Sequence, residues 1–163
     1  MRLVILVLLS LSAAFAADAK KYTLREFSPT NYISGPRLTP ALQKDKATLI
    51  IFWGYVVGGS RSGASLKMFQ QIAEKHKDDL VVIGVETLNQ AGSAKLIPLL
   101  LKSDGITFSN YNGCRTPYKI KETPHLCLFN RDGKMTYSGD VKVGEIDDEV
   151  IKALAAPEEK NTK

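Results

Sequence analysis

The sequence predicts an α/β fold, because two buried strands are separated by an amphipathic helix. Residues 48–53 and 80–85 are continuous apolar runs rich in β-branched residues. They are too short for helices and typical of strands buried on both faces. Between them, apolar residues recur at three- and four-residue spacing within 65–77, as on the buried face of a helix. A strand, a helix and a strand in this order form a right-handed crossover between parallel strands.

The elements that follow extend this unit into a larger sheet. Residues 93–102 carry apolar side chains at helical spacing, and Pro98 must either kink this helix or lie in its first turn. Two short apolar runs, 126–129 and 135–137, flank a turn-forming segment at 130–133, and this pattern predicts a β-hairpin. We therefore expect a central mixed β-sheet flanked by helices.

Less regular segments precede and interrupt these elements. Residues 20–46 contain three prolines and predict an irregular lead-in, with a hairpin that joins 32–33 to 37–38. Residues 110–113 are rich in Asn and Gly, which favour a loop. The apolar spacing within 146–154 predicts a last amphipathic helix.

Composition and charge limit the classes of partner. The chain has 163 residues, 44% hydrophobic and 24% charged, which is typical of a soluble globular protein with one domain. Its net charge of +5 comes from 22 Lys and Arg against 17 Asp and Glu. The basic residues are scattered among acidic ones and form no stripe, so we expect no nucleic-acid partner.

Residues 1–16 have the pattern of a signal peptide. Arg2 precedes an apolar run, and residues 14–16 (Ala-Phe-Ala) form a cleavage site, with a second one at 17–19. The run is shorter than the roughly 20 residues that span a bilayer. We therefore expect a periplasmic or secreted protein with no stable membrane span after cleavage. The predicted boundaries are signal peptide 1–16, N-terminal extension 17–46, main domain 47–156 and polar tail 157–163.

Four local features resemble the thioredoxin-like superfamily. Residues 52–54 (Phe-Trp-Gly) resemble the Phe-Trp-Ala that closes the family's first central strand. Residues 118–124 (Tyr-Lys-Ile-Lys-Glu-Thr-Pro) resemble the segment that leads to its cis-proline, and the hairpin with 132–134 (Asp-Gly-Lys) follows at the family's distance. The lead-in 26–46 resembles the N-terminal extension of its exported redoxin branch. The resemblance covers about residues 26–155 and implies a thioredoxin-like fold.

The same resemblance implies that the usual redox motif is lost. In the family, a Trp-Cys-x-x-Cys motif begins three residues after the Phe-Trp pair, which here falls on residues 56–60. Val57 and Ser60 stand in the place of the two cysteines, with Gly58 and Gly59 between them. A valine cannot attack sulfur and a hydroxyl cannot join a disulfide. The family's buried aspartate, which serves as its proton acceptor, corresponds to Ile51. A second catalytic residue of the family is therefore missing as well.

The resemblance also implies a surface that binds a partner. In the family, the backbone before the cis-proline pairs with an extended peptide or protein, and the corresponding bond here is Thr123-Pro124. We expect a peptide or protein partner in the envelope or outside the cell, although inherited architecture without a ligand remains an open alternative. The predicted groove comprises Trp53, Tyr55, Val57, Gly58, Gly59, Ser60, Thr123, Pro124 and His125.

The alternative function is a thiol-disulfide oxidoreductase or a peroxide-reactive redoxin-type enzyme that uses Cys114, with or without Cys127. Cys114 precedes Arg115, whose charge favours a thiolate. Cys127 lies between two leucines and is expected to be a small buried hydrophobe. A disulfide between the two remains open, because the sequence does not fix their distance.

The histidines predict neither a hydrolase nor a metal site. His125 follows Pro124, but no Gly-x-Ser-x-Gly elbow surrounds Ser60, so we expect a hydrogen-bonded structural histidine. His76 lies near the end of a helix, where a cation is favourable. Two distant histidines and two distant cysteines have no known metal-ligand spacing, and we predict no cofactor.

Overall fold

The structure is a computed structural model that describes residues 21–55, 61–88, 93–140 and 145–155. The predicted signal peptide, the polar tail and the 57–60 segment lie outside the described residues. The elements, in chain order, are a one-turn 3₁₀ helix (Leu24–Glu26), β1 (Ser28–Pro29), β2 (Tyr32–Ser34), α1 (Pro40–Gln43), β3 (Ala47–Trp53), α2 (Arg61–Lys75), β4 (Leu80–Glu86), α3 (Ser93–Ser103), β5 (Ser109–Asn112), β6 (Cys114–Arg115), β7 (His125–Phe129), β8 (Met135–Asp140) and α4 (Ile146–Ala155).

Six of the described strands form one mixed sheet in the order β2-β5-β4-β3-β7-β8. The central strands β3 and β4 are parallel over their whole length, from Ala47 opposite Leu80 to Trp53 opposite Glu86, and every residue of both is buried. β7 and β8 form the predicted antiparallel hairpin. The expected α/β class, the parallel crossover and the last helix are confirmed.

The two faces of this sheet are covered differently. On one face, β3 packs with apolar side chains of α2, α3 and α4, among them Phe69, Leu101 and Val150. On the other face, which we name the strap face, the buried cluster includes Ile50 and Ile83. None of its described members comes from α2, α3 or α4; the side chains that cover it come from Tyr22, Leu24, Tyr32, Leu38, Leu42, Cys114, Tyr118 and Ile120.

The predicted hairpin within 32–38 and the predicted loop at 110–113 are both wrong. β2 instead pairs with β5 in the main sheet, with Tyr32 opposite Tyr111. β5 forms despite its Asn-rich sequence because Gly84 of β4 leaves room beside it: a Cβ on Gly84 would lie 2.2 Å from Asn110 Oδ1. The buried Asn110 amide also donates to the Phe108 carbonyl at 2.8 Å. Tertiary packing therefore overrides local strand propensity.

Two helix bounds also differ from expectation. α2 begins at Arg61, four residues before the predicted start, and ends at Lys75. Pro98 lies inside α3, which runs on to Ser103, so it is not confined to the first turn. No helix among the described residues is long and apolar enough to cross a membrane.

Candidate functional site

The described residues of the predicted groove lie at the edge of the sheet where β3 and β4 end. Trp53 and Glu86 are paired at these carboxyl ends. β7 runs antiparallel to β3, so it begins at the same edge, with His125 opposite Phe52. The Thr123–Pro124 peptide bond, which is cis, directly precedes β7. The fold therefore brings Trp53, Pro124 and His125 to one edge, as the sequence predicted.

The Trp53 side chain lies in the core below this edge and does not line a groove. Its side chain is 2% exposed and belongs to the core on the helix side of the sheet. Tyr55 is half-buried and packs against the same core. The exposed surface at this edge is formed by the loop 121–124 and by Leu88, which is 44% exposed.

Glu86 is a buried carboxylate that the sequence analysis missed. It is 0% exposed, and its Oε1 accepts the backbone N–H groups of Tyr55 at 3.3 Å and of Leu88 at 3.0 Å. The carboxylate therefore joins the chain that leaves β3 to the chain that leaves β4. Acidic residues are almost never fully buried without partners, so its position at the end of an apolar strand was the available signal.

A close approach at Gly54 fixes the shape of the edge. A Cβ on Gly54 would lie 2.5 Å from Leu88 Cδ1 and 3.5 Å from Thr123 Oγ1, so Gly54 allows both side chains to come near the backbone. Beside them is a cavity of about 370 Å³, which we name the edge cavity. Its lining includes Phe52, Leu88, Cys114, Lys119, Ile120 and Thr123.

A partly buried polar network surrounds Cys127 on the strap face. The Tyr118 hydroxyl lies 3.2 Å from Cys127 Sγ and 2.8 Å from Ser138 Oγ. His125 Nε2 lies 3.0 Å from the same Ser138 oxygen. Cys127 is fully buried, as expected of a core cysteine. His125 is hydrogen-bonded to Ser138, as a structural histidine would be.

Burial keeps the two cysteines in the thiol form. It raises the pKa of Cys127 to about 11, although hydrogen bonds from Tyr118 and Ser138 lower it. Burial also raises the pKa of the half-buried Cys114 to about 11. The expectation that Arg115 favours a Cys114 thiolate is therefore wrong, because Arg115 is exposed while the thiol is desolvated. Both thiols are free.

Comparison with known proteins identifies the fold. No family model matches the chain, and no curated protein matches it. Among solved structures, a thiol-disulfide isomerase from Corynebacterium glutamicum is similar with a TM-score of 0.64 at 16% identity, over 80% of this chain and 94% of that one. The protein has a thioredoxin-like fold.

Two further structures agree with this assignment. The thioredoxin domain of a Bacteroides vulgatus thiol-disulfide oxidoreductase has a TM-score of 0.61 at 17% identity, over 82% of this chain and 96% of that one. A secreted Mycobacterium tuberculosis disulfide oxidoreductase, homologous to DsbE of E. coli, has a TM-score of 0.56 at 17% identity, over 78% of this chain and 96% of that one. The names of these neighbours describe disulfide chemistry. This chain contains two cysteines, Cys114 and Cys127, and they form no Cys-x-x-Cys pair.

Proposed function

We propose that this thioredoxin-like protein binds an extended segment of a peptide or protein partner at the Pro124 edge and performs no dithiol exchange there. One observation carries the proposal: the chain has the edge formed by β3, β4 and β7, yet no Cys-x-x-Cys pair anywhere in its sequence. A fold that supplies a binding edge without the thiols of the usual reaction favours binding over catalysis.

The surface at this edge suits a peptide in extended conformation. The loop 121–124 is exposed and leads directly into β7, so its backbone groups are accessible to a partner strand. Leu88 and the edge cavity offer an apolar place for one partner side chain. Lys119, Lys121 and Glu122 supply charges around that cavity.

The alternative, a redox enzyme that uses Cys114, is weaker. A thiol whose pKa is about 11 is almost wholly protonated at neutral pH, and the thiolate is the nucleophile. Cys127, the only other cysteine in the chain, is fully buried within its hydrogen-bonded network. Neither thiol has the electropositive, accessible surroundings of a reactive cysteine.

We also propose that the protein acts after export. The support is the signal-peptide pattern of residues 1–16, together with the secreted M. tuberculosis protein among the structural neighbours. The compartment would be the periplasm or the extracellular space.

A labelled peptide tests the binding proposal. A fluorescein-labelled peptide, selected for binding from a random peptide library, would be titrated by fluorescence anisotropy against the protein and three variants. Leu88→Asp places a charge where the partner side chain is expected to lie and should weaken binding at least about tenfold, equivalent to about 1.4 kcal/mol. Leu99→Asp is the matched control, because Leu99 is an exposed leucine on α3.

Cys114→Ser separates binding from thiol chemistry. The binding proposal expects no reduction of insulin disulfides by the parent protein or by this variant. The peptide affinity of Cys114→Ser does not decide between the two functions, because Cys114 lines the edge cavity. Equal affinities of the Leu88→Asp and Leu99→Asp variants would contradict binding at this edge. Reduction of insulin disulfides by the parent protein that is lost in Cys114→Ser would favour the redox alternative.

A further inference from the structure

A second and larger cavity lies on the strap face. Its volume is about 880 Å³, and we name it the strap cavity. Its accessible apolar surface comes from Leu24 and Leu38, which are half-buried. Ile50 and Ile83, in the middle of the two central strands, lie beneath it and are fully buried. It shares no lining residue with the edge cavity beside Thr123, so it is a separate site.

The cavity exists because this face is covered by separate segments of chain. One segment is held across the hairpin turn, where the Leu24 N–H donates to the Gly133 carbonyl at 2.8 Å. The other segment passes through α1 and is fastened where the Leu38 N–H donates to the Tyr111 hydroxyl at 3.0 Å. The two segments border an opening above the central strands.

The rim of the strap cavity carries an excess of positive charge. Four basic residues line it against two acidic ones, Asp45 and Asp132. The basic residues are Arg25, Lys44, Arg131 and Lys134. Arg131 is engaged elsewhere, because its Nη2 lies 2.7 Å from Asp79 Oδ1. Within the described part of the chain, no ion pair involves Arg25 or Lys44, so their charges remain available to a bound anion.

We propose that the strap cavity binds a free small amphipathic anion, with an apolar chain or ring system and one anionic group. Its volume lies within the roughly 300–1,000 Å³ of small-molecule sites. Burial of the apolar part against the half-buried Leu24 and Leu38 would supply most of the affinity. Arg25 and Lys44 would orient the anionic group at the rim, where charge complementarity selects an anion over a neutral molecule. The proposal is independent of peptide binding at the Pro124 edge.

Two fluorescent probes that differ mainly in charge test this proposal. The anion 1-anilinonaphthalene-8-sulfonate and its neutral counterpart N-phenyl-1-naphthylamine would be titrated into the purified protein. We expect saturable one-to-one binding of both, with the anion bound more tightly. Near-ultraviolet circular dichroism must stay native, since the sulfonate probe also binds partly unfolded chains. Tighter binding of the neutral probe would overturn the proposal.

Charge variants then locate the anionic group. Arg25→Gln with Lys44→Gln should weaken binding of the sulfonate about tenfold, since each surface charge pair contributes up to about 1 kcal/mol, and should leave the neutral probe unchanged. Lys95→Gln with Lys102→Gln on α3 removes the same charge and is the matched control. Equal effects of the two pairs would show only a general response to net charge and would contradict the assignment.

Methyl spectra identify where the apolar part lies. In protein with labelled leucine methyl groups, saturating sulfonate should shift the signals of Leu24 and Leu38 and not that of Leu99, which is exposed on α3. Leu38→Trp, at a half-buried residue that lines the opening, should abolish binding of both probes, whereas Leu96→Trp on α3 should not. Shifts confined to Leu99, or binding only to vesicles of anionic phospholipid, would overturn the proposal of a free ligand in this cavity.

Discussion

The Tyr118 hydroxyl lies 3.2 Å from the sulfur of Cys127 and joins it to the hydroxyl of Ser138. Cys127 and Ser138 are opposite each other in the β7–β8 hairpin, while Tyr118 comes from the loop before β7 and stacks against Tyr22 at 4.9 Å between ring centroids. A buried hydroxyl without a partner is costly. The network therefore fixes the loop that leads to the Pro124 edge, and Cys127 has a structural part in it.

Slow thiol alkylation is the first prediction. With pKa values of about 11, both Cys114 and Cys127 should carry about a hundredfold less thiolate at pH 7.5 than a thiol with the ordinary pKa of 9.0. Cys114, which is half-buried, should react with iodoacetamide slowly, and the fully buried Cys127 more slowly still. Intact mass and peptide mapping, with and without denaturant, measure this. Rapid native labelling of Cys127 would contradict the structure.

Loss of stability in alkali is the second prediction. Burial raises the pKa of Cys127 from 9.0 to about 11, so between these values the unfolded chain ionises and the folded chain does not. The unfolded state then binds fewer protons, and the free energy of unfolding falls as pH rises. The contribution of Cys127 should reach about 2 kcal/mol by pH 11. Urea unfolding at pH 8, 9, 10 and 11 measures the slope.

Cys127→Ala separates this effect from other alkaline groups. The variant should be less stable at pH 8, because it removes buried volume and a partner of Tyr118. Its stability should nevertheless fall less steeply with pH than that of the parent. Cys114 and Tyr118, whose pKa values burial also raises, remain in both proteins, so their contributions to the slope are present in both. Parallel slopes would show that Cys127 ionises alike in both states.

Much of the fold was predictable because its central strands are marked by composition. β3 and β4 are buried on both faces, so their continuous apolar runs mark them directly. β5 was not predictable in this way. Its residues 109–112 are polar, and it is a strand only because Gly84 makes room for Asn110 and because β2 pairs along its other edge. Such a strand depends on partners that are distant in the sequence.

The candidate site was predictable in position and not in its electrostatics. The edge at Pro124 follows from the order of the elements and from the resemblance to thioredoxin-like proteins. The desolvation of Cys114 and the burial of Glu86 depend on which loops cover them. Covering segments such as 114–120 have no periodic pattern, so the sequence does not reveal what they bury.

An ion pair between helix ends is the basis of the third prediction. Asp147, in the first turn of α4, is paired with Lys75 and with His76, whose Nε2 lies 3.0 Å from Asp147 Oδ1. Hydrogen bonds from Lys75 and then His76 lower the pKa of Asp147. Its contribution is therefore present above the ordinary pKa of 3.8 and is lost as pH falls below it. Asp147→Asn should cost about 0.5–1 kcal/mol at pH 7, a small value because the pair is exposed.

Asp148→Asn is the control for Asp147→Asn. Asp148 lies in the same turn and interacts equally with the helix dipole, but it is not paired with Lys75 or His76. Urea unfolding at pH 7 should show the larger loss for Asp147→Asn, and 1 M NaCl should reduce the difference by screening. Equal losses for both variants would assign the effect to the dipole alone.

The buried carboxylate of Glu86 is the subject of the fourth prediction. Because its Oε1 accepts the N–H groups of both Tyr55 and Leu88, Glu86→Gln weakens charge-assisted hydrogen bonds and places amide donors near other donors. We expect a loss of about 1–3 kcal/mol in the free energy of unfolding, and faster hydrogen exchange at the amides of Tyr55 and Leu88. Glu74→Gln is the control, at an exposed glutamate of α2 that accepts one hydrogen bond, from the side chain of Gln70.

The outcome for Glu86→Gln also bears on binding at the Pro124 edge. The hydrogen bond from the Leu88 N–H to Glu86 holds Leu88 near Gly54. Weakening this hydrogen bond should therefore lower the affinity for the selected peptide, even though Glu86 itself does not contact the peptide. Replacing a buried charge is sometimes stabilising, because the desolvation penalty disappears. A Glu86→Gln protein that is more stable than its parent, with unchanged exchange at Leu88, would show that the carboxylate does not position this edge. A less stable protein with faster exchange only at Tyr55 and Leu88 would identify Glu86 as the residue that holds it.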